Sequence, residues 1–452
     1  MAGKPPRGYP GARAQWRALR TLIRDRFLLE ALSPLREDAG DVFFLSFLWM
    51  RVAVVAGPEA ARAVLVTHRH LFSSRLAADP VARLMRGGML VVDGEDHDRA
   101  RRFAEPFFRP AYLEARAARM QAHIDRWIDA WPDGDVVEMA MAMRRMALEI
   151  LLEVIFGLPP RVAESMAEPL EAARAYIAPG LWLLFPRLPR PGYRRSLERL
   201  DAQVRALIRQ RREDPHSDDL LSAWARMPDM SEEDIRDQMI TLLIAGHDTV
   251  AMWLAWTIAL LARHPDVQDR ARAEVQEHLG DRAPDPESIR SLAFLRAVGT
   301  ESMRLFPPIP VLNRRALAPV TLDGVSIPAG TRVLVAIYTI HRHPKLWKDP
   351  DRFQPERFLS SSSEWEGTSL RYLPFGAGPR FCIGAPLAKL EGFMALARML
   401  QRVAFEPVPP APRPRLRATL DPWPGAWVRV RRIAPARFYV PWTGHELRRR
   451  NP

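Results

Sequence analysis

The sequence contains one cysteine, Cys382, and only four lysines among 452 residues. A single cysteine excludes an internal disulfide framework, so nothing in the sequence requires an oxidising compartment. Residues 1–30 lack the apolar core of a signal peptide. The most apolar early stretch, residues 42–57, is too short to span a bilayer and carries Arg51 in its middle. We therefore expect this stretch to form two strands, in a cytoplasmic protein without a transmembrane anchor.

The shortage of lysine leaves arginine to carry almost all of the positive charge. There are 66 lysines and arginines against 53 acidic residues, which gives a formal net charge of +13. Such a balance suits nucleic acid, an anionic membrane or an acidic protein partner. The sequence has no zinc-finger spacing, and its densest basic run is the short 448–450. We expect no nucleic-acid binding and interpret the arginines as solvated surface residues that reflect arginine-rich codon usage.

The sequence is rich in helical periodicity. From about residue 58 to 300, apolar residues recur at three- and four-residue spacing. One pattern begins at Ser231 with a capping box and runs to Arg263, just before Pro265. It is apolar on most of its circumference, which predicts a helix through the centre of the protein. Asp323-Gly324 predicts a hairpin in a later strand-rich patch. We predict one large, mainly α domain with a small β portion.

Cys382 lies in the stretch "FGAGPRFCIG", residues 375–384, ahead of an apolar run that predicts a helix. A lone cysteine is most often a small buried hydrophobe, but this context favours chemistry. Gly376 and Gly378 let the backbone turn close to a large, flat group. A helix start beside the cysteine would stabilise a thiolate, as a nucleophile or a metal ligand. No cysteine-protease signature accompanies it.

The same stretch matches the heme-binding signature F-x-x-G-x-R-x-C-x-G at every fixed position, so the chain resembles the cytochrome P450 family. The matching residues are Phe375, Gly378, Arg380, Cys382 and Gly384. The resemblance implies a cytochrome P450 fold around a buried heme b, with the Cys382 thiolate as axial ligand of the iron. It also implies that amides around the sulfur tune the iron and that Arg380 pairs with a heme propionate.

The stretch "AGHDT", residues 245–249, places polar side chains in the middle of the central helix. Polar groups are costly there unless they have a use, and a tolerated helix defect is the alternative. The stretch resembles the family's A-G-x-[DE]-T motif on the distal face of the heme, with Ala245, Gly246, Asp248 and Thr249 at the matching positions. The resemblance implies that Asp248 and Thr249 manage protons for O₂ activation.

Further cations match positions that contact the heme propionates in the family. Residues 94–103, "GEDHDRARRF", would on their own be a charged, exposed helix start. Beside the other motifs, His97 and Arg101 match two propionate-contacting positions. Arg314 matches another, although Arg315 beside it carries the same charge. Several cations around two carboxylates suit a buried dianion.

Glu301 and Arg304 receive a structural assignment. Their spacing of three places both side chains on one helical face, and the apolar flanks predict burial. Arg357 supplies a further partner, and the set resembles the family's structural triad. The alternative is an exposed ion pair that contributes little to stability. Two histidines in "HRH", 341–343, are interpreted as loop residues, since no acid accompanies them.

Together the motifs resemble a heme-thiolate monooxygenase, which implies a definite reaction class. Such an enzyme uses O₂, and electrons ultimately from NAD(P)H, to hydroxylate or epoxidise a hydrophobic small molecule; a fatty acid, terpenoid or carotenoid is our preference. A peroxide-using or isomerising member of the fold is one alternative, which the acid–threonine pair disfavours. A heme-binding sensor is another, prompted by the net charge. Residues 1–40 are interpreted as a lead and 41–452 as the heme domain.

The chain ends soon after the cysteine region, so we expect a separate ferredoxin and ferredoxin reductase to supply the electrons. We also expect a monomer. An acidic partner suits the positive residues expected near the thiolate side, which are Arg99, Arg102, Arg109, Lys345, Lys348 and Lys389. The apolar stretch 176–191, with Trp182 and Phe185, lies where the family has its entrance lid. We expect it to meet an apolar substrate or a membrane.

Overall fold

The computed structural model describes residues 7–25, 27–47, 50–76, 79–180, 190–359 and 370–433. Helices dominate, as the apolar spacing predicted. The α-helices of the described residues are α1 (Ala12–Asp25), α2 (Leu32–Ala39), α3 (Pro58–Arg62), α4 (Pro80–Met85), α5 (Gly94–Ala104), α6 (Pro110–Glu114), α7 (Ala117–Asp129), α8 (Met139–Phe156), α9 (Arg161–Ile177), α10 (Arg194–Glu213), α11 (Leu220–Ala225), α12 (Glu232–Arg263), α13 (Pro265–Leu279), α14 (Pro286–Ser291), α15 (Ala293–Leu305), α16 (Ile337–Ile340) and α17 (Ala385–Arg402).

The strands form small sheets, which confirms the expected minor β portion. Their bounds are β1 (Val42–Phe47), β2 (Met50–Val55), β3 (Phe72–Ser73), β4 (Val136–Glu138), β5 (Leu312–Ala316), β6 (Val320–Leu322), β7 (Val325–Ile327), β8 (Arg332–Val335), β9 (Val403–Pro407), β10 (Arg413–Leu416), β11 (Leu420–Trp423) and β12 (Trp427–Arg432). The largest sheet has the order β1-β2-β8-β5-β3, with β2 and β8 parallel and its other pairs antiparallel. A second sheet has the order β4-β12-β9, and β10-β11 and β6-β7 are isolated pairs.

Two local predictions are confirmed in the strands. The stretch 42–57 forms the antiparallel strands β1 and β2. The β6–β7 hairpin turns through Asp323 and Gly324, whose φ angles are +46° and +71°. A two-residue hairpin turn whose twist matches that of the strands requires positive φ at both turn residues. Asp-Gly tolerates these angles.

α12 is the central helix that the sequence predicted. Ser231 accepts a hydrogen bond from the Asp234 amide, and the Asp234 carboxylate accepts one from the Ser231 amide, so the capping box is present. α12 is also the one described helix that is long and apolar enough to cross a membrane. In this structure 83% of its apolar window is buried inside the protein, so it is a core helix. It continues through Gly246 without interruption.

Close helix contacts fix α12 against its neighbours. A Cβ on Gly246 would lie 2.9 Å from Leu151 Cδ2, so this glycine lets α8 approach. The indole of Trp253 donates to the Gly299 carbonyl at 2.8 Å and occupies the space where Gly392 would carry a Cβ. Because Gly392 lies on α17, the helix after the cysteine loop is held directly against α12.

Candidate active site

The cysteine loop is shaped by two glycines. Gly376 and Gly378 have φ angles of +73° and +69°, which residues with a Cβ atom rarely adopt. A Cβ on Gly378 would also lie 2.4 Å from the Leu65 carbonyl oxygen. The Cys382 amide donates to the Phe375 carbonyl at 3.0 Å, which closes the loop. The sequence therefore folds here into a tight turn that presents the cysteine side chain.

Opposing influences act on the sulfur. Burial raises the pKa of the Cys382 thiol, while the amides of Gly384 and Ala385 and the charge of Arg101 lower it. These amides belong to the start of α17, the helix that the sequence predicted after the cysteine. The side chain of Cys382 keeps accessible surface within these packed surroundings. A thiol of this kind becomes a strong ligand when a bound cation favours the thiolate.

Arg380 is fixed beside the loop by residues 89–93. Its guanidinium contacts the Asp93 carboxylate at 2.7 Å and donates to the Val92 carbonyl. Asp93 also accepts from the Ser73 hydroxyl and the Ser74 amide. Burial raises the pKa of Asp93, but these hydrogen bonds and the Arg380 charge outweigh it and lower the pKa. Asp93 therefore stays ionised and orients Arg380.

Arg314 is a half-buried cation on β5. Among the described residues, Arg314 Nη1 donates to the neighbouring Asn313 carbonyl at 2.8 Å. Burial and the nearby Arg380 charge lower its pKa to about 10, against a smaller effect of Asp93. Arg315 points to the opposite face of β5 and is exposed. Of the two neighbours, Arg314 is the one that a buried anion would stabilise.

Helix α5 brings two more basic groups to this region. Arg101 donates from Nη1 to the Phe381 carbonyl at 2.8 Å and so connects α5 with the cysteine loop. His97 is buried, and its Nδ1 lies 2.8 Å from Asp98 Oδ1. Burial lowers the pKa of His97, and the charges of Arg380 and Arg101 act in the same direction. The two residues and Arg380 are therefore close enough to influence one another electrostatically.

The middle of α12 has one accessible face. Every residue from 235 to 259 is buried except Ala245, Gly246 and Thr249. These residues, at i, i+1 and i+4, lie on one side of the helix. The Thr249 hydroxyl donates to the Ala245 carbonyl at 2.7 Å, which leaves its oxygen free to accept. A large group can therefore contact α12 at this face and meet one hydroxyl there.

Asp248 points into a buried ionic network that the sequence did not reveal. Arg144 Nε donates to Asp248 Oδ1 at 2.8 Å, and Arg174 Nε lies 2.9 Å from Oδ2. The Thr419 hydroxyl lies 2.7 Å from Oδ2, and Asp421 is the second carboxylate, 2.8 Å from Arg144 Nη2. Burial raises the pKa of Asp248, but the two arginine charges outweigh it and hold the pKa below its usual range. Asp248 is thus ionised at neutral pH.

The network gathers residues that are far apart in the chain. Arg144 lies on α8, Arg174 on α9, Asp248 on α12 and Asp421 on β11. Apart from Asp248, these residues carry no local motif, so only the folded chain could show this set. Asp93 was missed for a related reason, since it precedes the charged stretch 94–103 without a motif of its own.

The residues present fit a heme. Cys382 offers a sulfur ligand, and at the accessible face of α12 Ala245 presents only a methyl group and Gly246 no side chain. Arg101, Arg314 and Arg380 supply positive charge, and burial lowers the pKa of Arg314. A flat dianionic macrocycle with an iron centre would satisfy both the sulfur and the cations. The predicted segment 176–191 cannot be compared, because residues 181–189, with Trp182 and Phe185, lie outside the described residues.

Comparisons with known proteins identify the family of the chain. A model of the family "Cytochrome P450" matches residues 14–421. Pentalenene oxygenase of Streptomyces avermitilis is 31% identical over 424 residues, which cover 90% of this chain and 92% of that protein. Cyclooctat-9-en-7-ol 5-monooxygenase of Streptomyces melanosporofaciens is 32% identical over 378 residues, which cover 79% of this chain and 81% of that protein.

A solved structure shows the same architecture. The crystal structure of the cytochrome P450DA heme domain superimposes with a TM-score of 0.83 at 26% sequence identity. The match covers 95% of this chain and 98% of that chain. The arrangement of helices and small sheets described above is thus that of a heme domain.

Proposed function

Because the chain belongs to the cytochrome P450 family, we propose that it inserts one oxygen atom from O₂ into a terpenoid hydrocarbon or alcohol. The reaction class follows from the family: the chain is a monooxygenase that carries heme b and uses NAD(P)H-derived electrons from separate partners. The substrate class is our inference. It rests on the relatives, since pentalenene oxygenase, cyclooctat-9-en-7-ol 5-monooxygenase and cyclooctatin synthase are at least 31% identical to this chain.

We assign the site as follows. The thiolate of Cys382 would ligate the heme iron, and bound heme would supply the activation of O₂. The remaining cofactor-binding residues are His97, Ala245, Gly246, Arg314, Arg101, Phe375, Gly378, Arg380 and Gly384. The fit of the donor set and the half-buried charge of Arg314 support this assignment. We propose residues 41–452 as the heme domain.

Asp248 and Thr249 are the proposed catalytic residues. The single observation that carries this role is the accessible face of α12, on which Thr249 is the one hydroxyl. With its own proton donated to Ala245, the Thr249 oxygen would accept a hydrogen bond from a water or a substrate group and hold a proton there. Asp248 is ionised, so it would pass protons only by exchanging an arginine contact for a water.

The electron donor is proposed to be a ferredoxin that works with a ferredoxin reductase. The support is charge: Arg99, Arg102, Arg109, Lys345 and Lys348 are exposed. An acidic protein would be drawn to such a surface. Lys389 is half-buried and lies 5.8 Å from the centre of the Phe375 ring, on the cysteine loop. We propose a cytoplasmic monomer, in keeping with these separate partners.

The substrate proposal is tested by a ligand panel. Purified holoenzyme is titrated with cyclic terpenes and terpene alcohols, and with long-chain fatty acids and carotenoids as matched apolar controls. Binding is followed by the heme spectrum, and products are analysed after turnover under isotopically labelled O₂. We expect saturable spectral shifts and one labelled oxygen atom only with terpenoids. Saturable shifts and labelled products with fatty acids but not with terpenoids would overturn the substrate class while leaving the monooxygenase assignment intact.

A further inference from the structure

Helix α1 has three distinct faces, and only one of them packs on the protein. Ala14 and Ala18 are buried in a small core shared with Phe43 of β1. At 100° per residue, the remaining positions divide into an apolar stripe and an arginine stripe. Ala14, Ala18 and the partly buried Leu22 thus hold α1 to the domain, and its other large apolar side chains point away from that core.

The apolar stripe is exposed. Trp16, Leu19 and Ile23 have 61%, 43% and 67% of their surface accessible. Spacings of three and four place them within a sector of about 60° on the helix. Single exposed apolar residues are common on protein surfaces, but three large ones aligned on one helix face form a patch.

The arginine stripe borders the apolar one. Arg13 and Arg20 lie about 40–60° from Trp16 around the helix. In the part of the chain that the structure describes, neither contacts a carboxylate within ion-pair distance. Arg17, farther round, forms an exposed ion pair with Glu37 at 3.2 Å. The first turn of α1 contains no acidic residue.

We propose that α1 binds an anionic membrane surface, with its axis in the plane of the interface. The apolar stripe would enter the boundary between headgroups and acyl chains, and the adjoining arginines would contact lipid phosphates. The charge is complementary: the whole chain carries +13, and the cytoplasmic leaflet of a membrane is negative. This surface role would use arginines of α1 that take no part in the heme site. It does not depend on the proposed substrate.

A membrane fits this face better than a second copy of the chain does. In an antiparallel symmetric dimer built on α1, the arginine stripes of both copies would lie on the same side of the interface, where like charges repel at close range. A bilayer surface instead offers many phosphates along the full length of a helix. Large aromatic and aliphatic residues beside arginine are also the composition of helices that lie in a membrane interface.

The test is cosedimentation of the full-length holoenzyme with vesicles. Phosphatidylcholine vesicles with and without phosphatidylglycerol are compared at low and high salt. We expect at least tenfold stronger partitioning onto the anionic vesicles, reduced by salt. Replacing Arg13→Glu and Arg20→Glu should weaken partitioning at least about twentyfold, since each arginine near the surface contributes a factor of about five. Replacing Trp16→Ser, Leu19→Ser and Ile23→Ser should weaken it at least tenfold.

A matched control removes apolar surface elsewhere. Met141→Ser with Leu317→Ser alters two residues that are 56% and 52% exposed, and this variant should partition as the native protein does. Heme content of every variant is measured to show that the domain is folded. Equal binding to both vesicle types, or unchanged binding of the Trp16/Leu19/Ile23 variant, would overturn the proposal. So would a native dimer that this variant converts to monomer without any vesicle binding.

Discussion

Thr249 is the one hydroxyl on the accessible face of α12, and its chemistry is testable by a small change. In Thr249→Ala, heme and substrate binding should persist, because among the described residues the Thr249 hydroxyl bonds its own helix alone, at the Ala245 carbonyl. Electrons should still be consumed, but hydrogen peroxide should replace oxidised product, and product per electron should fall at least about tenfold. Thr249→Ser keeps the hydroxyl and should retain most of the coupling. Native coupling in Thr249→Ala would show that protons arrive by another route.

Asp248 needs a comparison that separates proton transfer from stability. Asp248→Asn leaves Arg144 and the buried Arg174 with Asp421 and the exposed Glu171 as their remaining carboxylates, and breaking such a buried pair costs about 3–5 kcal/mol. Asp421→Asn breaks the same network from the other side and should lose comparable stability. Only Asp248→Asn should slow turnover and enlarge the solvent isotope effect. If both variants lower turnover equally, the network is structural alone.

The same network has a defined pH dependence. The pKa of Asp248 is lower in the folded protein than in an unfolded chain, because Arg174 and Arg144 outweigh the effect of burial. The stabilisation is therefore complete above the ordinary carboxyl pKa of about 4 and is lost as the pH falls below it. Proton delivery by this residue at neutral pH thus begins from the ionised form.

At the scale of elements, the ion pair on α15 connects the helix to the segment ahead of the cysteine loop. Arg304 contacts both Glu301 oxygens, at 2.7 and 2.8 Å, and donates to the carbonyls of His341 and Pro350. Arg357 completes the set at 3.3 Å from Glu301. Both Glu301 and Arg304 are fully buried, as the apolar flanks predicted.

Glu301→Gln should therefore be severely destabilising. It keeps the shape of the side chain but leaves the buried Arg304 charge unpaired, which costs about 3–5 kcal/mol of unfolding free energy. The measurement is denaturant unfolding together with heme content. Glu356→Gln removes an exposed partner of Arg270 and should change stability by less than about 1 kcal/mol. Equal stability of the two variants would contradict the burial argument.

Elements with strong local signals were predictable from the sequence. The capping box at Ser231 and the Asp323-Gly324 turn act over a few residues, so their outcome is visible without the fold. On β5, Arg314 is half-buried and Arg315 is exposed. Which of the two arginines would be half-buried could be decided only from the sheet in which the strand lies. The partners of Asp248 come from three other elements, and no local pattern specifies which distant charges will meet. Helix α1 was taken as a featureless lead, since exposure of its apolar stripe depends on what packs against it.

At the scale of the whole molecule, positive charge should govern electron delivery. Exposed charges are screened beyond about 8 Å at physiological ionic strength, so reduction by an acidic ferredoxin should slow as salt rises. Lys345→Glu with Lys348→Glu should slow reduction without altering substrate binding. Arg161→Glu with Arg195→Glu makes the same charge change on α9 and α10, which pack on α8 and α12, and should have little effect. A rate insensitive to salt would indicate an apolar docking face.

The most direct test of the account is the spectrum of the reduced carbon monoxide complex, recorded for the native protein and for Cys382→Ser. The native protein should show the strongly red-shifted Soret band that thiolate ligation produces. Cys382→Ser should lose that band and either lose heme or show a band at shorter wavelength. A native protein without the red-shifted band, or a Cys382→Ser protein that keeps it, would contradict the assignment of Cys382 as the iron ligand.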